Sequence, residues 1–139
     1  MAIVFPGSDE LRCEVDGARL IEPMQGFESL RGDLYALYSL GRRLGLHDRG
    51  TYNPHSRLPG GGRSDHAYWP ARAFDLGIED ESERALARYF YRLARGRPDV
   101  GYVIFERRIW SKDRGEHAYT AGGHGHHVHV SGRHPLRLP

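Results

Sequence analysis

Four of the nine histidines in this 139-residue chain lie within six residues near its C-terminal end: His124, His126, His127 and His129. A glycine-rich approach leads into an alternation of histidine and valine that ends at Val130. Alternation predicts a β-strand, which places the side chains of His127 and His129 on the same face. Two imidazoles on one face of a strand could supply half of a metal site, because histidine nitrogen is a common zinc ligand.

The cysteine content limits which residues can supply the remaining ligands of such a metal site. Cys13 is the only cysteine, so neither an intramolecular disulfide nor a cysteine-rich zinc cluster can form. The ligands must then be histidine, aspartate or glutamate, a donor set more typical of catalytic than of structural zinc. Cys13 itself is expected to be a packed side chain in a short strand, and a reactive nucleophile is the less favoured alternative.

The composition indicates one globular domain, residues 1–139. Hydrophobic residues make up 39% of the chain and charged residues 27%, and the formal net charge is +2. A balance this even does not indicate a nucleic-acid partner. No stretch is long enough to span a membrane, and residues 1–6 lack the basic and apolar regions of a signal peptide. We therefore expect synthesis in the cytoplasm, no membrane partner and a monomer.

A zinc ion that hydrolyses a substrate needs three protein ligands and one open position for water. His66 precedes a predicted strand, Asp75 lies within it, and His129 lies in the last strand, so these three could supply two nitrogens and one oxygen. The pKa of a zinc-bound water falls to about 7, and a nearby base can complete its deprotonation. His127 shares a face with His129 and is the natural candidate, whereas His124 could orient a ligand or a substrate carbonyl.

The elements that must position these residues indicate an α+β fold. Helical periodicity predicts two helices, with Ser29 as a possible cap of the first. Alternation and β-branched or aromatic content predict three strands, and the intervening segments read as loops. In chain order the prediction is an irregular lead-in at 1–26, a helix at 29–45, a loop at 47–71, a strand at 72–78, a helix at 80–95, a strand at 101–110, a loop at 111–123 and a strand at 126–131.

Three motifs in this order resemble the M15-type zinc peptidases, which include D-Ala-D-Ala carboxypeptidases and L-alanyl-D-glutamate endolysins. The motifs are Ser64-Asp65-His66, Ala73-Phe74-Asp75 and the run from His127 to Ser131. Residues 102–111 resemble the strand before the last motif in actinobacterial and actinophage cell-wall peptidases. The similarity covers roughly residues 50–131. The M15-type peptidases belong to a wider group that includes the lysostaphin-type enzymes and the hedgehog signalling domain.

The resemblance implies one zinc ion held by His66, Asp75 and His129 on a small antiparallel sheet flanked by helices, a hedgehog/DD-peptidase-like fold. It implies a substrate in the peptides of peptidoglycan, cut in the stem or the cross-link. Arg63 and Ser64, in or beside the first motif, are the expected substrate-binding residues. Such proteins act on the cell wall as phage endolysins, released by a holin, or as bacterial wall-remodelling enzymes.

The chain departs from the family pattern at two places. Two extra residues separate His66 from Asp75, so the intervening loop must bulge. Many M15 members also carry an acidic catalytic residue three positions before the last ligand, where this chain has His126. The base could be His127 or His126, as a histidine is in the lysostaphin branch, or a carboxylate from elsewhere, with Glu116 the first candidate and Asp65 the second.

Three functions therefore compete at this point. A zinc peptidase acting on peptidoglycan is the favoured one, and it could be a carboxypeptidase or an endopeptidase. A non-catalytic zinc-bound module, such as a wall-binding or phage structural protein, is the alternative that the missing acid keeps open. A histidine-metal nuclease is less favoured, because the chain lacks an obvious ββα unit.

Overall fold

The computed structural model describes residues 29–133, which form an α+β unit built on a six-stranded antiparallel sheet. Two α-helices are present in this range, α1 at Tyr35–Leu44 and α2 at Arg84–Ala94. The six strands are β1 at His47–Gly50, β2 at Ala73–Gly77, β3 at Val100–Phe105, β4 at Arg108–Ser111, β5 at Gly115–Ala118 and β6 at His127–Gly132.

The strands are ordered β1-β2-β6-β3-β4-β5 across the sheet, and each neighbouring pair is antiparallel. β2 and β3 both run antiparallel to β6, so they are parallel to one another, and α2 lies between them in the chain. The last strand thus inserts between two strands that a helical crossover connects. This insertion brings the C-terminal histidines beside Asp75, because Asp75 pairs with His129 across β2 and β6.

Local signals define both helices. Asp80 forms a capping box with Glu83 in the 3₁₀ turn that leads into α2, which satisfies backbone N–H groups at the start of the helix. α1 ends at Gly45, whose φ of 113° is the left-handed conformation that favours glycine. These observations confirm the predicted helices at 29–45 and 80–95, although Ser29 is not the cap. Its hydroxyl instead lies 2.6 Å from the hydroxyl of Thr51.

The hydrophobic core lies between the two helices and one face of the sheet. Phe74 and Leu76 from β2 and Phe90 from α2 are fully buried there. Side chains alternate along a strand, so Asp75, between Phe74 and Leu76, faces the other side. The predicted orientation of Asp75 is therefore confirmed, and the sheet has a core face and a polar face.

Three predicted boundaries were wrong. The single strand at 101–110 is a hairpin of β3 and β4, joined by a two-residue turn at Glu106 and Arg107. The predicted loop at 47–71 begins with β1, and the predicted loop at 111–123 contains β5. Both strands lie at the sheet edges and show no apolar alternation, because neither has a face in the core. Their strand conformation comes from pairing, which a local pattern does not reveal.

Several predictions fall outside the described residues. These concern the lead-in at residues 1–26, Cys13 and the segment from residue 134 onwards. Within residues 29–133, neither helix combines the length and the apolar character needed to cross a bilayer.

Candidate metal centre

Three side chains from three separate elements meet on the polar face of the sheet. His66 comes from the 3₁₀ turn Asp65–Ala67, Asp75 from the middle of β2 and His129 from β6. His66 Nε2 lies 3.2 Å from His129 Nδ1 and 3.2 Å from Asp75 Oδ2. His129 Nδ1 lies 3.0 Å from Asp75 Oδ1. The structure thus brings together the three residues predicted as metal ligands.

This group could hold a metal ion. Donor atoms about 2.0–2.2 Å from a tetrahedral zinc lie about 3.3–3.6 Å from one another. The three observed separations, between 3.0 and 3.2 Å, are slightly shorter than that spacing. Two neutral imidazole nitrogens and one carboxylate oxygen form a donor set that zinc and other divalent transition metals accept.

The orientation of the His66 ring is set by the backbone. His66 Nδ1 lies 2.7 Å from the carbonyl oxygen of Thr51. A carbonyl oxygen can only accept a hydrogen bond, so Nδ1 carries a proton, and in the neutral ring Nε2 presents its lone pair to the group. Ser64 supports the turn, because its hydroxyl oxygen accepts from the backbone N–H of His66 at 3.2 Å.

The His129 ring presents its other nitrogen. Its Nδ1 faces Asp75, whereas its Nε2 lies 2.8 Å from the hydroxyl of Ser131. The ring is buried and stacks on Tyr102, with 5.5 Å between ring centroids and an interplanar angle of 23°. The hydroxyl of Ser131 and the ring of Tyr102 therefore hold the His129 ring in this orientation.

The charges within the group reinforce one another. Burial disfavours the ionised form of Asp75, but hydrogen bonds and charge from His129 and His66 outweigh it and hold the pKa of that carboxyl well below its usual range. Burial likewise lowers the pKa of His66, but hydrogen bonding and charge from Asp75 raise it above 6.5 overall. Asp75 is thus a carboxylate at neutral pH, the form that ligates a metal.

Two further histidines lie at the edge of the group. His127 is half-buried, with Nε2 3.8 Å from Asp75 Oδ2, which confirms that it shares a face with His129. The His124 ring lies 5.0 Å from that of His127 and 5.6 Å from that of His129, measured between centroids. Two further imidazoles therefore lie next to the two that contact Asp75.

Both of these histidines are neutral near pH 7. Burial lowers the pKa of His127, and the charge of Asp75 only partly opposes it. Burial, and then repulsion from His129, lowers the pKa of His124 to about 4. His124 Nδ1 lies 3.2 Å from the carbonyl oxygen of Gly122, so Nδ1 holds the proton and Nε2 is free to accept one.

His126 does not join the group. Its side chain is exposed. Its backbone carbonyl accepts a hydrogen bond from Ile78. His126 therefore serves here to join the backbone at the start of β6 to the end of β2.

Glu116, the first candidate for a carboxylate base, is on the wrong face of the sheet. It pairs across the strands with Trp110, which packs against the core, and its carboxylate forms ion pairs with Arg95 and Arg108. Asp65, the second candidate, is buried and lies close to Tyr102. The expectation that Glu116 could serve as base is therefore wrong, because strand alternation turns it towards α2.

The two expected substrate-binding residues differ in their surroundings. Ser64 is buried, and its hydroxyl donates to Ser56 at 2.6 Å. The same hydroxyl oxygen accepts from the backbone N–H of His66, so Ser64 positions His66. Arg63 is exposed, lies 4.1 Å from the centre of the Tyr68 ring and donates to the carbonyl of Ala67. Contact of either residue with substrate stays a prediction.

None of the sequence motifs assigned a role to the groups that hold the His66 and His129 rings. Thr51 acts through its backbone carbonyl, which no side-chain pattern can reveal. Ser131 could have been found, because alternation from His127 and His129 places it on the same face. Tyr102 could not, because its approach to His129 depends on β6 inserting beside β3.

Comparison of the chain with protein-family models, with curated proteins and with solved structures finds no match.

Proposed function

We propose that this protein is a zinc-dependent peptidase that hydrolyses a peptide bond in bacterial peptidoglycan. The observation that carries the proposal is the convergence of His66, Asp75 and His129 on one point, with each imidazole held by a hydrogen bond at its outer nitrogen so that the other nitrogen faces inward. The choice of peptidoglycan rests on the resemblance of the three motifs to M15-type peptidases. The same resemblance underlies our proposal that the fold is of the hedgehog/DD-peptidase kind.

A bound zinc ion would supply Lewis-acid chemistry, polarising the scissile carbonyl and making water acidic near neutral pH. His66, Asp75 and His129 would hold it, because each directs a nitrogen or oxygen atom towards the same point and can bind a metal once that atom is unprotonated. Zinc sites of this kind keep an open position for water, and His127 and His124 lie at the edge of the group.

The proton transfers are assigned to these two histidines. A neutral His127 can accept a proton from the attacking water at a ring nitrogen and return it to the leaving amine. His124 offers Nε2 as a second acceptor, because Nδ1 is engaged by Gly122. With Glu116 turned away, histidine is the base in this proposal, as in the lysostaphin-type enzymes that the chain resembles.

The proposal is tested by incubating purified peptidoglycan with zinc-loaded and with chelator-treated protein and identifying the released fragments by mass spectrometry. We expect fragments with a new amino terminus only from the zinc-loaded protein, and their masses identify the bond. Asp75→Asn should abolish release, whereas the exposed His126→Ala is the matched control and should retain it. Full activity of Asp75→Asn would contradict the proposal.

One observation favours a second candidate, a zinc-bound module without catalysis. Within residues 29–133, Asp75 is the one carboxylate of the group at the metal centre, and Glu116 lies on the opposite face. This candidate predicts one zinc per chain, association with peptidoglycan and no released fragments. Parallel incubation with DNA tests the nuclease hypothesis, which predicts cleavage of DNA and none of the wall.

A further inference from the structure

Ser131 occupies a position that the three ligands do not explain. It lies two residues after His129 on the same face of β6, and it is fully buried although its side chain is polar. A buried hydroxyl is costly unless it is hydrogen-bonded. Its partner is His129 Nε2, 2.8 Å away, on the side of the imidazole that faces away from Asp75.

The direction of this hydrogen bond follows from the metal site. If His129 Nδ1 is to ligate a metal, it must be unprotonated, so a neutral ring carries its proton on Nε2. Nε2 then donates to Ser131, and the hydroxyl of Ser131 is left with a proton of its own to donate. A serine hydroxyl can accept and donate at once, which a backbone carbonyl cannot.

Tyr102 lies next to this hydroxyl. It stacks on the His129 ring, and its strand neighbour across the sheet is Ser131. The phenol of Tyr102 is therefore the side chain placed to accept the hydrogen bond that Ser131 has left to donate.

We propose that Ser131 and Tyr102 form a relay behind His129 that holds Nε2 protonated and Nδ1 bare, and that this relay sets the affinity of the site for zinc. In this relay His129 Nε2 donates to the hydroxyl of Ser131, and that hydroxyl donates to the phenol oxygen of Tyr102. Such support raises the basicity of a ligating imidazole and fixes its orientation. Ser131 is thus a positioning residue, and the inference rests on the metal site of the proposed function.

The relay is tested by measuring zinc affinity at pH 7.5 in competition with a chromogenic chelator. We expect Ser131→Ala to bind zinc about 10- to 100-fold more weakly than wild type, in the range for residues that support a metal ligand. Ser111→Ala is the matched control, because Ser111 lies on the same face and pairs with Tyr102, but its hydroxyl accepts from Arg114 instead. It should bind zinc as wild type does.

Tyr102→Phe keeps the ring that stacks on His129 and removes only the hydroxyl. It should weaken zinc binding less than Ser131→Ala, and the double variant should be no weaker than Ser131→Ala alone, because both changes break one chain of donors. This variant also keeps the inference testable if Ser131→Ala fails to fold. A loss in the double variant equal to the sum of the two single losses would contradict the relay.

A spectroscopic readout separates positioning from general destabilisation. In zinc-loaded wild-type protein, the Nε2 proton of His129 should be visible in ¹H–¹⁵N spectra and protected from solvent exchange, and in Ser131→Ala this protection should disappear. Wild-type protein that binds no zinc would overturn the proposed function together with the relay. Wild-type protein that binds zinc, with Ser131→Ala equal to it in affinity and in proton protection, would overturn the relay alone.

Discussion

His66 and His129 present different ring nitrogens to Asp75, and the difference follows from what lies behind each ring. The backbone carbonyl of Thr51 accepts a hydrogen bond from Nδ1 of His66, so Nε2 faces inward. A serine hydroxyl bonds Nε2 of His129, so Nδ1 faces inward. Both rings are therefore turned before any metal arrives. Pre-orientation of this kind reduces the conformational entropy that binding would otherwise cost.

The role of His127 as a base can be tested separately from metal binding by His66, Asp75 and His129. His127→Ala should lower the rate of peptidoglycan hydrolysis by about 10²- to 10⁴-fold, the usual contribution of a general acid or base. Its zinc content should stay at one ion per chain, because His66, Asp75 and His129 are untouched. The rate is measured from newly released amino groups and the zinc by elemental analysis.

The matched control for this prediction is His126→Ala, one position earlier in the same histidine run. Its side chain is exposed and outside the group, so rate and zinc content should both match wild type. If His126→Ala lost activity while His127→Ala kept it, the assignment of the base would be reversed.

At the scale of elements, the turn between β3 and β4 anchors the loop that carries His124. Glu106 adopts a positive φ of 59°, unusual for a residue with a side chain. Its N–H donates to the carbonyl of His124 at 2.8 Å, and its carboxylate accepts from Arg84 and Arg88. Arg84 also donates to the carbonyl of Gly125 at 2.9 Å. These contacts join the helix, the hairpin and the histidine loop.

This anchor predicts a pH dependence. Partial burial of Glu106 opposes its ionisation, but hydrogen bonds from Arg88 and Arg84 outweigh it and hold its pKa below 4.5. A lowered folded pKa gives stability that is present above pH 4.5 and lost as the pH falls through the folded value. Glu106→Gln should therefore reduce the free energy of unfolding by about 0.5–1 kcal/mol at pH 7. Urea denaturation at several pH values measures this.

The two proteins should become equally stable at a pH well below 4, where Glu106 is protonated in wild type. A deficit in Glu106→Gln that stays constant from pH 7 to pH 3 would show that the carboxylate charge is not the source of the stabilisation.

Close packing of α1 against β2 depends on Gly41. A Cβ atom at this position would meet the side chains of Leu76 and Phe90. Overpacking costs about 1–3 kcal/mol, which exceeds the gain of about 1 kcal/mol that alanine has over glycine in a helix. Gly41→Ala should thus lower the denaturation midpoint. Gly32→Ala is the matched control, since a Cβ atom at that position would have no neighbouring side chain or backbone atom within 4 Å, and it should not be destabilised.

How far the sequence predicts these elements depends on whether their signals are local. α2 carries a capping box and an apolar face, and its limits agree with the prediction. The hairpin turn at Glu106 carries no glycine or asparagine, because ion pairs with Arg84 and Arg88 stabilise a conformation that the residue alone disfavours. A turn held by distant contacts leaves no local pattern, so residues 101–110 read as one strand.

The residues of the candidate site also differ in whether the sequence alone could predict their location. His66, Asp75 and His129 could be predicted because their spacing resembles a known set of motifs. The location of Glu116 could not, because an unpredicted strand, β5, determines which face it occupies. His124 enters the group because its loop is fixed by Glu106, a contact between segments 18 residues apart in the chain.

At the scale of the whole molecule, the sheet separates stability from chemistry. One face carries the apolar side chains that pack against both helices, and the other carries the group at Asp75. A single strand serves both: Val128 and Val130 are fully buried in the core, while His127 and His129 point to the polar face. Substitutions on the polar face can therefore change metal binding without opening the core.

A bound metal would link β6 to the 3₁₀ turn and β2, which lie about 50 or more residues earlier in the chain, so its binding should stabilise the whole fold. Zinc at 100 times its dissociation constant adds about 2.7 kcal/mol to the free energy of unfolding. For a chain of this length, that corresponds to a rise in Tm of about 10 °C. We expect this rise in wild type and in His126→Ala, and none in Asp75→Asn, when thermal unfolding is followed by circular dichroism with zinc and with chelator. Equal Tm values for wild type in the two conditions would mean that the three side chains hold one another and no metal.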